Sequence, residues 1–209
     1  MLLVAIIIWV LVFILFYYYR QLNAVERFDK PVIYLYPTEI MDVTVRLEFS
    51  GILDFTYPTY HDGWSVTAHP DGTIINHGDG REYSYLFWEG RGNTQYRFDE
   101  GFVVKGSDTV VFLQETLACM GLIPKEYNEF IVYWLPYMQN NPYNIISFQG
   151  SDYTDAAKLT IFPEPDSVLR VFMTFKASDE PVEIQPQVLK PFERKGFTVV
   201  EWGGSCLSK

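Results

Sequence analysis

The first 19 residues of the chain, MLLVAIIIWVLVFILFYYY, contain no charged side chain. As an α-helix they would extend roughly 28 Å, which is close to the ~30 Å thickness of the hydrocarbon core of a bilayer. Tyr17–Tyr19 and Arg20 end the run, as an aromatic belt and a cation commonly do at a membrane interface. The segment therefore predicts a transmembrane anchor over residues 1–19, with the lipid bilayer as its partner.

Two other interpretations of this segment compete with the anchor. A cleaved signal peptide needs a basic residue before the apolar run and a small-residue cleavage site after it, and the sequence has neither. A buried core helix fits poorly with the length and the all-round hydrophobicity. Arg20, Arg27 and Lys30 follow the segment, so the positive-inside rule favours the cytoplasmic side for the rest of the chain without settling it. We therefore expect a single-pass membrane protein with a juxtamembrane stalk at 20–30.

Charge and cysteine content exclude several classes of protein. The formal net charge is −10, which disfavours a nucleic-acid partner because such proteins present a basic surface. Two cysteines cannot form a disulfide framework. Cys119 falls on the apolar side of a predicted helix and is expected to be a small core residue, whereas Cys206 lies close to the C-terminus.

Beyond residue 30 the chain reads as a series of short strands. Val43–Phe49 alternates apolar and polar side chains, the pattern of a half-buried strand. Asp-Gly pairs at 62–63, 71–72 and 79–80 separate neighbouring apolar runs and tolerate the positive φ of tight turns. Helical spacing predicts helices over 107–120 and 125–135, the second ending near Pro136. We therefore expect one mainly β, sandwich-like soluble domain over 31–209 with an inserted helical hairpin (α+β), preceded by the transmembrane helix.

Several segments, taken as a set, resemble a family of uncharacterised microbial proteins. They include KPVIYLYP at 30–37, YHDGW at 60–64, EYSYLFWEG at 82–90 and GFTVVEWGG at 196–204. The resemblance spans nearly all of residues 30–204 and implies that this span folds as one unit. It implies no activity, cofactor or catalytic residue.

The histidines are the first candidates for chemistry. His61, His69 and His77 each precede an Asp-Gly turn, and imidazole and carboxylate are ligands that zinc accepts. His61, His77 and Asp79 are therefore weak candidates for a metal site. The simpler interpretation is that Asp-Gly marks hairpin turns, which alternate between the two ends of a sheet. No cofactor motif is present, and we expect no cofactor.

Three glutamates beside aromatic residues form the second group of candidates. Glu89, Glu129 and Glu201 each adjoin a Trp or a Phe. Two carboxylates with different pKa values would be able to hydrolyse a glycosidic bond, which makes the three weak catalytic candidates. The alternative is that they pair with arginines at the edge of the core.

Aromatic residues make up 17% of the chain. Core packing must absorb most of them, and an exposed minority around 57–60, 83–85 or 133–143 would form a binding patch. The candidate binding residues are Tyr57, Tyr60, Trp64, Tyr85 and Trp88. The sequence thus favours a membrane-anchored binding module that recognises a protein or a glycan through an acidic aromatic face. The alternatives are a carboxylate-based hydrolase of carbohydrate or envelope polymer, and a structural membrane component of an envelope or virion.

Overall fold

The computed structural model describes residues 26–207 together with Trp9, Val12 and Phe13. Among residues 26–207 the α-helices are α1 (Thr109–Met120), α2 (Pro124–Met138) and α3 (Ser151–Ala156), and a 3-10 helix, Gly106–Asp108, directly precedes α1. The strands are β1 (Glu26–Tyr36), β2 (Met41–Phe49), β3 (Gly51–Tyr57), β4 (Trp64–Ala68), β5 (Ile74–Asn76), β6 (Glu82–Tyr83), β7 (Leu86–Gly92), β8 (Glu100–Lys105), β9 (Tyr143–Gln149), β10 (Ala157–Phe162), β11 (Ser167–Ser178), β12 (Gln185–Pro186) and β13 (Thr198–Cys206).

The strands form two sheets. The larger has eight strands in the order β12-β8-β9-β11-β13-β1-β7-β3, and the smaller has five in the order β10-β2-β4-β5-β6. Neighbouring strands are antiparallel except for the pairs β11–β13 and β12–β8. The chain is therefore mainly β and sandwich-like, with β12 and β3 at the two edges of the larger sheet.

The space between the two sheets holds the first hydrophobic core. Val43, Val45 and Leu47 of β2 point into it, as the alternation in the sequence predicts, because successive side chains of a strand point to opposite faces. Trp64 and Trp88 meet them from the two sheets and are almost fully buried. Burial of these large side chains stabilises the sandwich.

The second core lies between the other face of the larger sheet and helices α1 and α2. Phe130 and Trp134 of α2 are buried there, and the Phe130 ring lies 5.3 Å from the Trp202 ring of β13. Helix α2 runs through Pro136 to Met138, beyond the predicted end at 135. Pro136 removes one helical hydrogen bond, and the burial of Met138 offsets that loss.

Strand β1 begins earlier than the sequence suggests. Glu26–Lys30, predicted as part of a stalk, forms its first half, of which Glu26–Phe28 pair with β7. The register of β1 shifts between Asp29 and Val32 against β13. This β-bulge contains Pro31, whose missing N–H would interrupt a regular ladder.

The predicted transmembrane helix requires correction. No helix of the described residues is long and apolar enough to cross a bilayer. The longest of them, α2, has 15 residues, or roughly 22 Å against the ~30 Å hydrocarbon core. The fold class predicted with an N-terminal membrane helix, and the single-pass membrane location, are wrong on this finding. Residues 1–19 lie outside the described residues except Trp9, Val12 and Phe13, which are helical and exposed.

Candidate functional site

The predicted catalytic glutamates do not meet in one cleft. Glu201 is fully buried in β13, where its carboxylate accepts hydrogen bonds from Arg170 Nε at 2.6 Å and from Trp88 Nε1 at 3.2 Å. Its role is therefore in the core, in the manner of the predicted pairing with arginine. Glu129 instead accepts a hydrogen bond from the hydroxyl of Tyr34 at 2.9 Å and reaches the surface.

Glu129 lines a surface groove between helix α2 and the larger sheet. This groove, which we name the Lys30 groove, has a volume of about 570 Å³. Its lining residues come from the bulge of β1, from the residue that precedes β7 and from one face of α2: Lys30, Tyr85, Asn128, Glu129, Val132, Tyr133, Pro136 and Tyr137. Three of the eight lining residues are tyrosines, and one cation, one carboxylate and one amide are among the other five.

Lys30 enters the groove because of the bulge in β1. Its backbone has φ 59°, the left-handed region, which costs a non-glycine residue about 1–2 kcal/mol. Bulges redirect side chains, and here the Lys30 ammonium lies 5.0 Å from the ring centre of Phe87, 5.4 Å from that of Tyr85 and 5.8 Å from that of Tyr133. Such contacts are favourable cation–π interactions. The strained backbone therefore holds a cation among three rings.

The rings around Lys30 belong to a longer aromatic strip. Phe55 of the edge strand β3 lies 5.7 Å from Phe87, and Tyr133 lies 6.0 Å from Tyr137, measured between ring centres. We define the aromatic strip as these four residues with Tyr85. Its two ends are open to solvent, since Phe55 is 56% and Tyr137 is 57% exposed, whereas Phe87 between them is a buried core residue. The strip therefore crosses from the edge of the larger sheet to helix α2.

Burial, together with nearby carboxylates, sets the electrostatics of the strip. Burial raises the pKa of the Tyr85 hydroxyl and the charge of Glu129 raises it further. Burial also raises the pKa of Tyr133, with smaller contributions from Asp29 and Glu89. Both phenols thus remain protonated and keep a hydrogen-bond donor at neutral pH. The Glu89 carboxyl has its own pKa raised by burial and then by Asp29.

The predicted binding residues divide into exposed and buried positions. Tyr85 lines the Lys30 groove, and Tyr57 is exposed on β3. Trp64 and Trp88 are core residues, so they cannot touch a ligand. The Tyr60 hydroxyl is engaged with the backbone N–H and carbonyl of Leu47.

Lys30 is the functional candidate that the sequence argument missed. The sequence pattern predicts a stalk at this position rather than a strand. The available signal was the Lys-Pro pair at 30–31 immediately before an apolar strand, because Pro inside a strand indicates a bulge or an edge.

The predicted metal-ligating residues do not come together in one site either. His77 lies 3.0 Å from the Ser65 hydroxyl through Nδ1 and 2.8 Å from the Thr67 hydroxyl through Nε2. The Asp79 carboxylate accepts hydrogen bonds from Asn76 at 2.9 Å and from Tyr83 at 2.6 Å within its own turn. Across residues 26–207, no group of three or more His, Cys, Asp or Glu side chains is arranged to hold a metal ion.

The cysteines require one further correction. Cys119 is exposed on α1 rather than buried as predicted, because the inward face of that helix is formed by Leu113 and Leu117. Cys206 is also free and exposed.

Fold and groove together define a two-sheet β protein with an aromatic surface site. A 64-residue stretch is 45% identical to a Butyrivibrio fibrisolvens protein named "Uncharacterized protein in bglA 3'region". The match covers 29% of this chain and 65% of that protein, so the chain spans somewhat less than two thirds of its relative's length. No protein-family profile and no solved structure matches the chain. The predicted resemblance to an uncharacterised protein is confirmed over that stretch, and the individual segments quoted for it stay predictions.

Proposed function

We propose that this protein is a binding module that recognises a neutral glycan along the aromatic strip. The observation that carries the proposal is the row of rings that joins the exposed Phe55 to the exposed Tyr137. The Lys30 ammonium links its two halves, because it contacts both the buried Phe87 ring and the Tyr133 ring. Ligand sites commonly combine apolar and aromatic lining with a few polar groups that fix orientation. Aromatic faces suit the C–H faces of sugar rings.

Hydrogen-bonding groups beside the strip match the hydroxyl groups of a sugar. The Lys30 ammonium offers donors, the Glu129 carboxylate offers acceptors, and the Asn128 amide offers both. A sugar hydroxyl both donates and accepts, so it can use all three. A ligand that is only apolar would leave these groups without partners, which is costly when water is excluded.

Charge favours a neutral glycan over an acidic one. The chain carries a net charge of −10, and the carboxylates of Glu89 and Glu129 act on the tyrosines of the strip. Their field opposes the approach of an anionic polymer, and one lysine does not reverse it. Neutral hexose and pentose polymers meet no such repulsion.

The test measures binding of the full chain to a panel of neutral polysaccharides by affinity electrophoresis. Tyr137→Ala removes an exposed ring of the strip and is expected to weaken binding roughly three- to tenfold. Phe162→Ala is the matched control, since Phe162 is an aromatic residue of the other sheet and is 75% exposed. Absence of binding to every neutral polysaccharide, or equal losses in the two variants, would refute the proposal.

The same experiment separates binding from hydrolysis. The hydrolase alternative predicts that the bound polysaccharide shortens with time and that Glu129→Gln or Glu89→Gln stops this. The binding proposal predicts an unchanged chain length. Product sizing by chromatography distinguishes the two.

A further inference from the structure

A second surface lies at the other edge of the larger sheet, along strand β8. On its inner side, β8 pairs with β9 from Phe102 to Lys105. On its outer side β8 pairs only at its first two residues, Glu100 and Gly101, with the short parallel strand β12. Among residues 26–207, no strand pairs with the outer side of β8 beyond Gly101.

The backbone of Val103 points to this open side. The Gly101 carbonyl accepts a hydrogen bond from the N–H of Gln187, at 3.4 Å, on the outer side of β8. Backbone groups of alternate residues in a strand point to the same side. Val103 therefore directs its N–H and carbonyl outward, in line with the hydrogen bond that Gly101 already makes.

A groove follows this open edge. Two adjoining cavities of about 880 and 710 Å³ share Val103, Val104, Phe112 and Val182 in their linings. The strand forms the floor, helix α1 forms one wall and the segment 181–186 forms the other. We name the two cavities together the β8 groove.

The charge of the β8 groove is strongly negative. Lys105 is the one basic residue in the two linings. Four carboxylates line the groove: Asp99, Asp108, Glu115 and Glu183. None of the four forms an ion pair with another described residue. Between them lie the apolar side chains of Phe102, Val111 and Phe112. A peptide that complements this lining has basic and apolar residues that alternate along its sequence.

We propose that the β8 groove binds an extended segment of a partner protein, with alternating basic and apolar residues, as an added strand beside Val103–Lys105. Strand addition at an open sheet edge is a common mode of peptide recognition, in which backbone hydrogen bonds give affinity and side-chain contacts give specificity. The pairing of β12 with β8 demonstrates that this edge accepts a strand. The site is separate from the aromatic strip, since β3 and β8 lie near opposite edges of the sheet.

The probe is a short fluorescein-labelled peptide of alternating lysine and valine, titrated with the full chain and followed by fluorescence anisotropy. We expect saturable binding that a glutamate–valine peptide does not reproduce. N-methylation of alternate residues of the probe removes its backbone donors and is expected to weaken binding about tenfold or more. Equal affinity of the methylated probe would overturn the proposal, because it would indicate only a general attraction between charges.

Variants of the protein locate the site. Val103→Pro removes the outward N–H and is expected to weaken binding of the probe by a similar factor. Glu115→Gln is expected to weaken binding of the probe less. Glu39→Gln, which removes an exposed carboxylate outside the groove, is the matched control. If Val103→Pro fails to fold, the comparison between methylated and unmethylated probes on the unmodified chain still decides the outcome. Loss of affinity in Glu39→Gln equal to that in Glu115→Gln contradicts the assignment.

Discussion

The buried pair of Arg170 and Glu201 provides the sharpest test of the core. Glu201 is fully buried and Arg170 is 11% exposed at its side chain, with 2.6 Å between Nε and the carboxylate. The Arg170 guanidinium also lies 4.7 Å from the ring centre of Tyr153. We expect Arg170→Met and Glu201→Met each to cost about 3–5 kcal/mol of unfolding free energy, because each leaves an uncompensated charge in the core.

The double variant distinguishes a pair from two independent residues. With both charges replaced by methionine, the remaining cost is the unpaired N–H of Trp88, about 1–3 kcal/mol. The two single costs therefore do not add, and the coupling free energy is expected to exceed about 2 kcal/mol.

Urea unfolding, followed by tryptophan fluorescence, measures the unfolding free energy of the parent chain, the two single variants and the double variant. The change in midpoint at constant slope gives the free-energy differences. The interpretation of a dry, coupled pair would be refuted if each single variant lost less than about 1 kcal/mol of unfolding free energy. It would also be refuted if the loss in the double variant equalled the sum of the two single losses. They would also return Glu201 to the list of candidates for a solvent-accessible role.

Three further predictions concern the strained and charged positions. Lys30→Gly relieves the left-handed backbone but loses the ring contacts, so its unfolding free energy should stay within about 1 kcal/mol of the parent while polysaccharide binding falls; a large loss of stability in urea would contradict this. Glu89→Gln removes a carboxylate whose pKa is raised in the folded state above the ordinary 4.5. We therefore expect the variant to gain less than about 1 kcal/mol of unfolding free energy at pH 7, after solvent screening. This gain disappears as the pH falls below ~4.5, because the carboxyl group is then protonated in both the folded and the unfolded state. Thermal unfolding against pH measures it, and a gain that persists in acid would be evidence against burial as the cause. Gly196→Ala should lower stability by about 1–3 kcal/mol, because Gly196 has φ 50° and an added Cβ would clash with the Asp166 carboxylate; an unchanged melting temperature would show that this turn relaxes.

Local sequence pattern predicts most of the strands in the described part of the chain. The alternation of Val43–Phe49 corresponds to a strand with Val43, Val45 and Leu47 inside. The Asp-Gly turns hold Gly72 and Gly80 at positive φ, as tight turns require. These features depend on neighbours in sequence, so one sequence is sufficient to find them.

Features that depend on distant contacts were not predicted. The end of α2 was placed before Pro136, yet burial of Met138 against the sheet extends it. The first half of β1 has no strand-like alternation, and its pairing with β7 holds it in the sheet. In both cases tertiary packing decides the outcome over local preference.

The candidate site could be predicted only in part for the same reason. The sequence identified tyrosines near 83–85 and 133–143, and Tyr85, Tyr133 and Tyr137 do line one groove. It did not identify Lys30, whose direction depends on a bulge created by pairing with two different strands. Nor did it indicate which aromatic residues stay outside, since Trp64 and Tyr57 were both predicted as binding residues and Trp64 is buried whereas Tyr57 is exposed.

Both proposed surfaces occur where regular strand pairing stops. In a continuous ladder the backbone groups satisfy one another and the side chains alternate between two packed faces. At the bulge of β1 this alternation breaks, and Lys30 is directed across the rings of the strip. Beyond Gly101 the outer ladder of β8 breaks, and among residues 26–207 no strand pairs with the outer side of Val103. A ligand can use only groups that the fold has not already used, so interruptions of pairing are the places where a β-sheet protein has recognition chemistry to offer.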